Sequence, residues 1–450
     1  MEAEGNERRR AAATIGVSAI VALALAAGSG SVASLGAQTP VDVDQGRASY
    51  AAAVEAYRAG DAAEFLAAIE RADELRPAHP SILYALASAR ALNGDAAGAL
   101  ATLWRLADMG LAYDPAEDPD FAMLASDARF ADASARLHAN GEPAGASEPA
   151  FTLPWRDFVP EGIARDPASG AFFVSGVHGR RVERVESDGR TRTVAEGPWS
   201  ALGLAIDPAR RILWIGTAAM RETAGVDSTD IGRGAVIGVD LDSGRCVAEL
   251  ALPDDGSDHV PGDLSIGPDG SLYVSDGAAG VLWVLRPGSE ALEVLTGADT
   301  LVSPQGSAQS ADGRTLWLAD YSLGVLAVDP RTGRAQRLEQ PDDAALLGID
   351  ALLVHGNDLI AVQNGVRPAR VLRLTVDPAA EVVRGWEVVA AALPEFEEPT
   401  GATIVDGRLY LIANSHWDRF EDGRLLEPDS LSPPLIVTID LEASGRVLEN

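Results

Sequence analysis

The sequence predicts a mainly β chain, a six-bladed β-propeller preceded by a small α-helical domain. Three observations carry this. A unit of two short apolar strands recurs six times beyond Phe151. Turns rich in Gly, Asp and Pro punctuate that whole region. The stretch before it is alanine-rich and helical in period. Four strands per unit and six units give roughly 48 residues per unit, the size of a propeller blade.

Composition removes several function classes. The 450 residues hold 67 Asp and Glu against 36 basic residues, for a formal net charge of −31, and every basic residue is arginine. A chain this acidic repels phosphates, so non-specific nucleic-acid binding is excluded. Cys246 is the single cysteine, which rules out an internal disulfide, a thiolate zinc site and an iron–sulfur cluster. No nucleophile elbow, phosphate loop or dinucleotide fingerprint occurs.

In chain order, residues 1–37 read as an export signal. Arg8, Arg9 and Arg10 precede an apolar run from Ile15 to Ala27, and small residues lead to Leu35-Gly36-Ala37, with cleavage expected before Gln38. The rival reading is an uncleaved membrane anchor. Either way the folded part is expected outside the cytoplasm, periplasmic or extracellular, with no further membrane span.

Residues 45–140 read as tetratricopeptide-like helical repeats. Gly60-Asp61-Ala62-Ala63 recurs as Gly94-Asp95-Ala96-Ala97, and the same shift carries Tyr50 onto Tyr84 and Leu66 onto Leu100. That displacement matches the tetratricopeptide period. Each glycine would end one helix and each aspartate would cap the next. An ordinary pair of helical hairpins is the alternative. Residues 141–149 read as a loose linker, and 150–443 as the propeller, closed by pairing a strand near Phe151 with Leu435–Leu441.

Propeller geometry makes repeat alignment a spatial argument, because equivalent positions of the innermost strands form a ring at one mouth of the channel. The first ring position reads Glu161, Leu202, Gly262, Gln305, Ile349 and Thr400. The second reads Gly162, Gly203, Asp263, Gly306, Asp350 and Gly401. Three carboxylates, Glu161, Asp263 and Asp350, therefore face one funnel from alternate blades. With Gln305 they form a hard-oxygen set suited to a divalent cation, Ca²⁺ foremost. Solvated turn residues are the alternative reading.

These segments carry a resemblance. Pro160-Glu161-Gly162, Pro304-Gln305-Gly306 followed by Ala311-Asp312-Gly313-Arg314-Thr315-Leu316-Trp317, and Gly348-Ile349-Asp350 resemble the regucalcin/gluconolactonase family, with paraoxonase-type lactonases and strictosidine-synthase-like proteins more distant. The resemblance covers the propeller and implies a channel-mouth divalent metal and hydrolysis of sugar lactones. The family's first-blade glutamate matches Glu161, and its fourth-blade asparagine falls on Gln305. Its fifth-blade aspartate falls on Ile349 with Asp350 one residue on, and its third-blade asparagine falls on Gly262, ahead of Asp263.

His178, just after the second strand of unit one, is the candidate general base beside a metal-bound water. The enzyme reading is a metal-dependent lactone or ester hydrolase with a small-molecule ligand in the funnel. The alternative is a non-catalytic binding propeller whose helical repeats dock a protein partner.

Overall fold

A computed structural model describes residues 38–442 except 378 and 380. The export signal at 1–37 and its cleavage site lie outside the described residues. Among the described residues no helix is long and apolar enough to cross a membrane.

Five helices open the described chain: α1 Pro40–Ala59, α2 Ala62–Leu75, α3 Pro80–Leu92, α4 Ala96–Asp108 and α5 Ala128–Ala139. The caps account for their ends. Thr39 and Asp42 form a capping box with Pro40 in the first turn, so the first helix starts five residues ahead of the expected boundary. Gly60 and Gly94 adopt φ of +75° and +86°, and Asp61 and Asp95 accept from the N–H groups of Glu64 and Gly98 at 3.1 and 2.9 Å. The repeated tetrapeptide thus builds the same helix–turn–helix joint twice, in α1/α2 and α3/α4.

Six four-stranded antiparallel sheets follow. Their innermost strands are Pro160–Arg165, Ser200–Asp207, Pro261–Ile266, Pro304–Gln309, Ile349–His355 and Ala402–Val405, one for each of blades one to six. Blade six takes its outermost strand, Glu148–Thr152, from the N-terminal side, paired with Leu435–Asp440. That clasp closes the ring as the sequence led one to expect and leaves no open gap between first and last blades.

Glycine dominates the second ring position for a steric reason. A Cβ on Gly162 would lie 2.5 Å from the Leu202 carbonyl oxygen, and one on Gly203 would lie 2.6 Å from both Asp263 Cα and the Gly262 oxygen. Neighbouring innermost strands meet backbone to backbone here, and only a missing side chain permits it. Gly203→Ala is expected to destabilise the fold by about 1–3 kcal/mol through overpacking, read as a shifted urea midpoint at unchanged m-value. A midpoint equal to wild type would show that the blades can spread.

The helices dock on the mouth face. Arg370, in the third strand of blade five, donates to the Met109 and Gly110 carbonyls at 2.8 and 3.2 Å. Ala112 N–H donates to the Arg367 carbonyl at 2.8 Å, and Arg47 reaches Ser322 at 3.1 Å. Ala345 and Val366 join the helical core, while Val43 joins the core of blades three and four. Helices and propeller form one compact unit.

The 141–149 segment is not the loose linker its Gly, Pro and Ser content suggested. Ala144 exchanges two backbone hydrogen bonds with Ala391 at 2.9 Å each, Ser147 bonds Glu395, and the clasp strand already begins at Glu148. Pairing with blade five overrides the local composition.

Candidate active site at the channel mouth

The mouth is shaped by bulges. Pro160 pairs with Gly176 and Ile163 with Val174, so Glu161 and Gly162 stand opposite Ser175 alone. In blade five Ile349 pairs with Gln363 and Ala351 with Val362, which leaves Asp350 as the extra residue. A bulge re-aims the side chain it carries. Ile349 is fully buried in the core of blades four and five, and Asp350 turns out of it.

Glu161, Asp263 and Asp350 are half-buried and close enough to act on one another, and a fourth carboxyl, Glu398, joins them from the loop ahead of blade six. Burial raises all four above the ordinary carboxyl range. Glu161 rises furthest, through burial and then the charge of Asp350, against the opposing Trp417 hydrogen bond. Asp263 is pushed up to about 7 by burial and Asp350, and Asp350 to about 7 by burial, with the Asn364 carboxamide opposing. Glu398 also stands at about 7, raised mainly by burial and opposed by the Asp418 N–H it accepts at 2.9 Å. No arginine or histidine appears among the groups acting on any of the four.

Each acid is tethered separately. Trp417 Nε1–H donates to Glu161 Oε2 at 2.7 Å, and Leu264 N–H donates to Asp263 at 2.6 Å. Asn364 serves Asp350, donates to the Pro399 carbonyl at 3.0 Å, and accepts from the Tyr321 hydroxyl at 3.0 Å. Gln305 donates to Ser303 at 3.3 Å and leans toward Gly262 and Gly277.

Among the described residues no three His, Cys, Asp or Glu side chains converge to hold a metal ion. The set Glu161, Asp263, Gln305 and Asp350 therefore shares a mouth without forming one ligand shell. A reduced set fits better: the Asp350 charge acts on Glu161, the Asn364 carboxamide serves Asp350, and water commonly completes the shell of a hard cation.

His178 stands apart from these acids. It belongs to the turn after the second strand of blade one and lines a neighbouring cleft, with Nδ1 3.0 Å from the Asp157 carbonyl and its ring 6.2 Å from Phe420. The other strand-end histidines are engaged as well. His259 is buried against Asp276 at 2.6 Å, His416 meets the Ser432 carbonyl at 3.0 Å, and His355 meets Glu442 at 3.0 Å.

Sequence reasoning missed Glu398, Asn364 and Tyr321, and Trp417 completes the surround of the acids. Glu398 carries φ of +60° in a turn just before the aligned repeat, and Glu397-Glu398-Pro399 ahead of Thr400-Gly401 was the available signal. The other three arrive on connections between second and third strands, which the repeat alignment did not sample.

No protein-family model matches the chain, and no curated protein does. Solved structures do. A gluconolactonase from Xanthomonas campestris aligns at 18% identity over 66% of this chain and 98% of its own, with a TM-score of 0.43. Regucalcin, a calcium-binding protein from Agrobacterium tumefaciens, aligns at 17% identity over 66% of this chain and 95% of its own, with a TM-score of 0.46. Virginiamycin B lyase from Staphylococcus aureus aligns at 14% identity over 65% of this chain and 99% of its own, with a TM-score of 0.42. The structural neighbours are thus gluconolactonase- and regucalcin-like proteins together with other propeller enzymes, and what each binds or cleaves is a property of that protein.

Proposed function

We propose that the protein is an exported hydrolase that opens a small lactone or ester in the propeller mouth. The supporting observation is the group of four carboxyls from blades one, three, five and six, three of them placed at about 7. Carboxyls poised near neutrality exchange protons efficiently in both directions.

Roles follow from the tethers. Trp417 occupies Oε2 of Glu161 as a donor, so the proton of the neutral carboxyl sits on Oε1 and is available to a substrate oxygen. Asp350, oriented by Asn364, takes the proton of an attacking water. The water oxygen bonds to the carbonyl carbon, the acyl–oxygen bond breaks, and the departing oxygen receives the Glu161 proton. Glu161 and Asp350, ionised and with Asn364, would instead hold a divalent cation, Ca²⁺ foremost, which would supply polarisation of the carbonyl in place of the Glu161 proton.

The test is turnover of a lactone and aryl-ester panel by the full chain, with EDTA and with millimolar Ca²⁺, Mg²⁺, Mn²⁺ or Zn²⁺. Hydrolysis is expected, along with a rise of melting temperature that grows with cation concentration. No turnover under any condition would sink the hydrolase. An unmoved melting temperature would remove the cation alone. N-terminal sequencing of the exported species should read from Gln38.

A partner-docking role for the helices has less behind it. The stretch Pro119–Leu124 lies against α3, where Asp118 accepts from Tyr84 at 2.9 Å and Asp120 from Ser88 at 2.6 Å and Tyr57 at 3.2 Å. The chain's own segment thus occupies a face shared by α1 and α3.

A further inference from the structure

Beside the carboxyl mouth lies a cleft of about 500 Å³ between the second-to-third-strand connections of blades two and six, with His178, Arg221, Thr223, Arg424 and Leu425 in its wall. Its construction is specific. Gly423 turns the blade-six hairpin at φ +77°, and a Cβ there would lie 2.6 Å from the Arg221 carbonyl oxygen and 2.8 Å from Arg221 Cβ. Touching backbones therefore deliver Arg221 and Arg424 to one wall. Thr223 anchors the blade-two side, its hydroxyl 2.6 Å from that of Ser200 and accepting from Met220 N–H at 3.0 Å.

Arg233 on the same connection pairs with Asp230 at 3.1 Å, and Arg419 on the same hairpin side with Asp418 at 3.7 Å. Neither the Arg221 nor the Arg424 side chain has a partner among the described residues, although the chain carries 67 acids. Both are exposed, and together they offer guanidinium donors on one wall with no acid competing for them. The Asp157 carbonyl can only accept, so His178 Nδ1 carries the hydrogen and the donors offered to an anion are the two arginines.

We propose that this cleft is an oxyanion subsite that binds the carboxylate or phosphate group of a small-molecule ligand. Guanidinium forks match such groups in two-point geometry. The neighbouring mouth is lined by four carboxyls, so an anionic group is favoured at the arginine wall instead. A ligand bearing both an anion and an ester is therefore oriented along one line. Contacts run from His178 to Phe420 at 6.2 Å, from Phe420 to Trp417 at 5.9 Å, and from Trp417 to Glu161 at 2.7 Å. This orientation rests on the hydrolase reading. The anion site itself does not.

Calorimetric titration of the full chain with succinate and with inorganic phosphate, at constant ionic strength in chloride, tests the site directly. Binding of at least one is expected, weakened about tenfold or more in Arg221→Gln and in Arg424→Gln, as for loss of a charge-assisted bond. Arg192→Gln, an exposed change on the outermost strand of blade one, should leave it unchanged. Which anion binds better assigns the group. Equal melting temperatures establish that the variants fold. No binding of either anion above chloride, or equal affinity in all three variants, overturns the site, whatever the esterase assays show.

Discussion

Arg370→Ala is expected to cost about 3–5 kcal/mol of unfolding free energy, the range for breaking a buried polar network. Arg370 is 1% exposed and meets no carboxylate. Its donors go to Gln363 at 2.6 Å, to the carbonyls of Met109 and Gly110 just past α4, and to Ala345 at 3.3 Å, with the guanidinium 5.4 Å over the Trp386 ring. Burial lowers its pKa to about 9, still cationic at neutrality. Unpaired carbonyls at a helix C-terminus are the negative end of the helix dipole, which is why they can replace an acid here. Alanine would leave the Met109 and Gly110 carbonyls and the Gln363 carboxamide oxygen buried without donors, while Ala345 keeps the Gln363 amide at 2.7 Å. Lysine keeps the charge but cannot span the four acceptors, so Arg370→Lys should lie between the two. The check is equilibrium urea unfolding followed by circular dichroism. A loss under 1 kcal/mol would mean that the helices are held by their apolar contacts and the remaining hydrogen bonds, with Arg370 contributing little.

The same residue marks where sequence reading stops. The blades were legible because strand periodicity, turn residues and a repeated unit agree locally, and because ring closure by the Phe151 region follows from counting strands. The two helical joints were legible from one repeated tetrapeptide. Arg370 was not, since its partners lie some 260 positions away and are backbone atoms, which leave no mark on composition. At the mouth, alignment put Glu161 at the first ring position and Asp263 and Asp350 at the second, but side-chain aim depends on bulges. Asp350 is the extra residue of a slipped pairing, and a pattern of alternation gives no sign of where a strand slips. Glu398 and Trp417 come from connections whose course is set by docking onto other blades, as Gly423 against Arg221 shows. The linker failed for a related reason: Gly, Pro and Ser report local freedom, and Ala144 gave that freedom up to pair with Ala391.

Glu161→Gln should lower kcat on any lactone or ester the protein hydrolyses by about 10²–10⁴, the usual contribution of a positioned proton donor. Glutamine keeps the Oε acceptor for Trp417 and the volume of the side chain, so KM should move little and the fold should persist. The companion change, Asp350→Asn, separates chemistry from stability. A carboxyl with a folded pKa near 7 and an unfolded value near 4 holds more protons when folded across that window, so stability falls as pH rises from about 4 to 7 and stays low above it. Removing the Asp350 charge should therefore raise stability at pH 8 by about 1–2 kcal/mol after allowance for solvent in the channel, and change it little at pH 4. It should also remove the rising limb of the pH–rate profile near 7 while leaving the limb set by Glu161. The two variants thus move activity in one direction and stability at alkaline pH in the other, a pattern that solvated turn residues do not produce. Wild-type kinetics in Glu161→Gln, or equal melting curves for wild type and Asp350→Asn at pH 4 and pH 8, would mean that the four carboxyls neither repel one another nor exchange protons with a substrate.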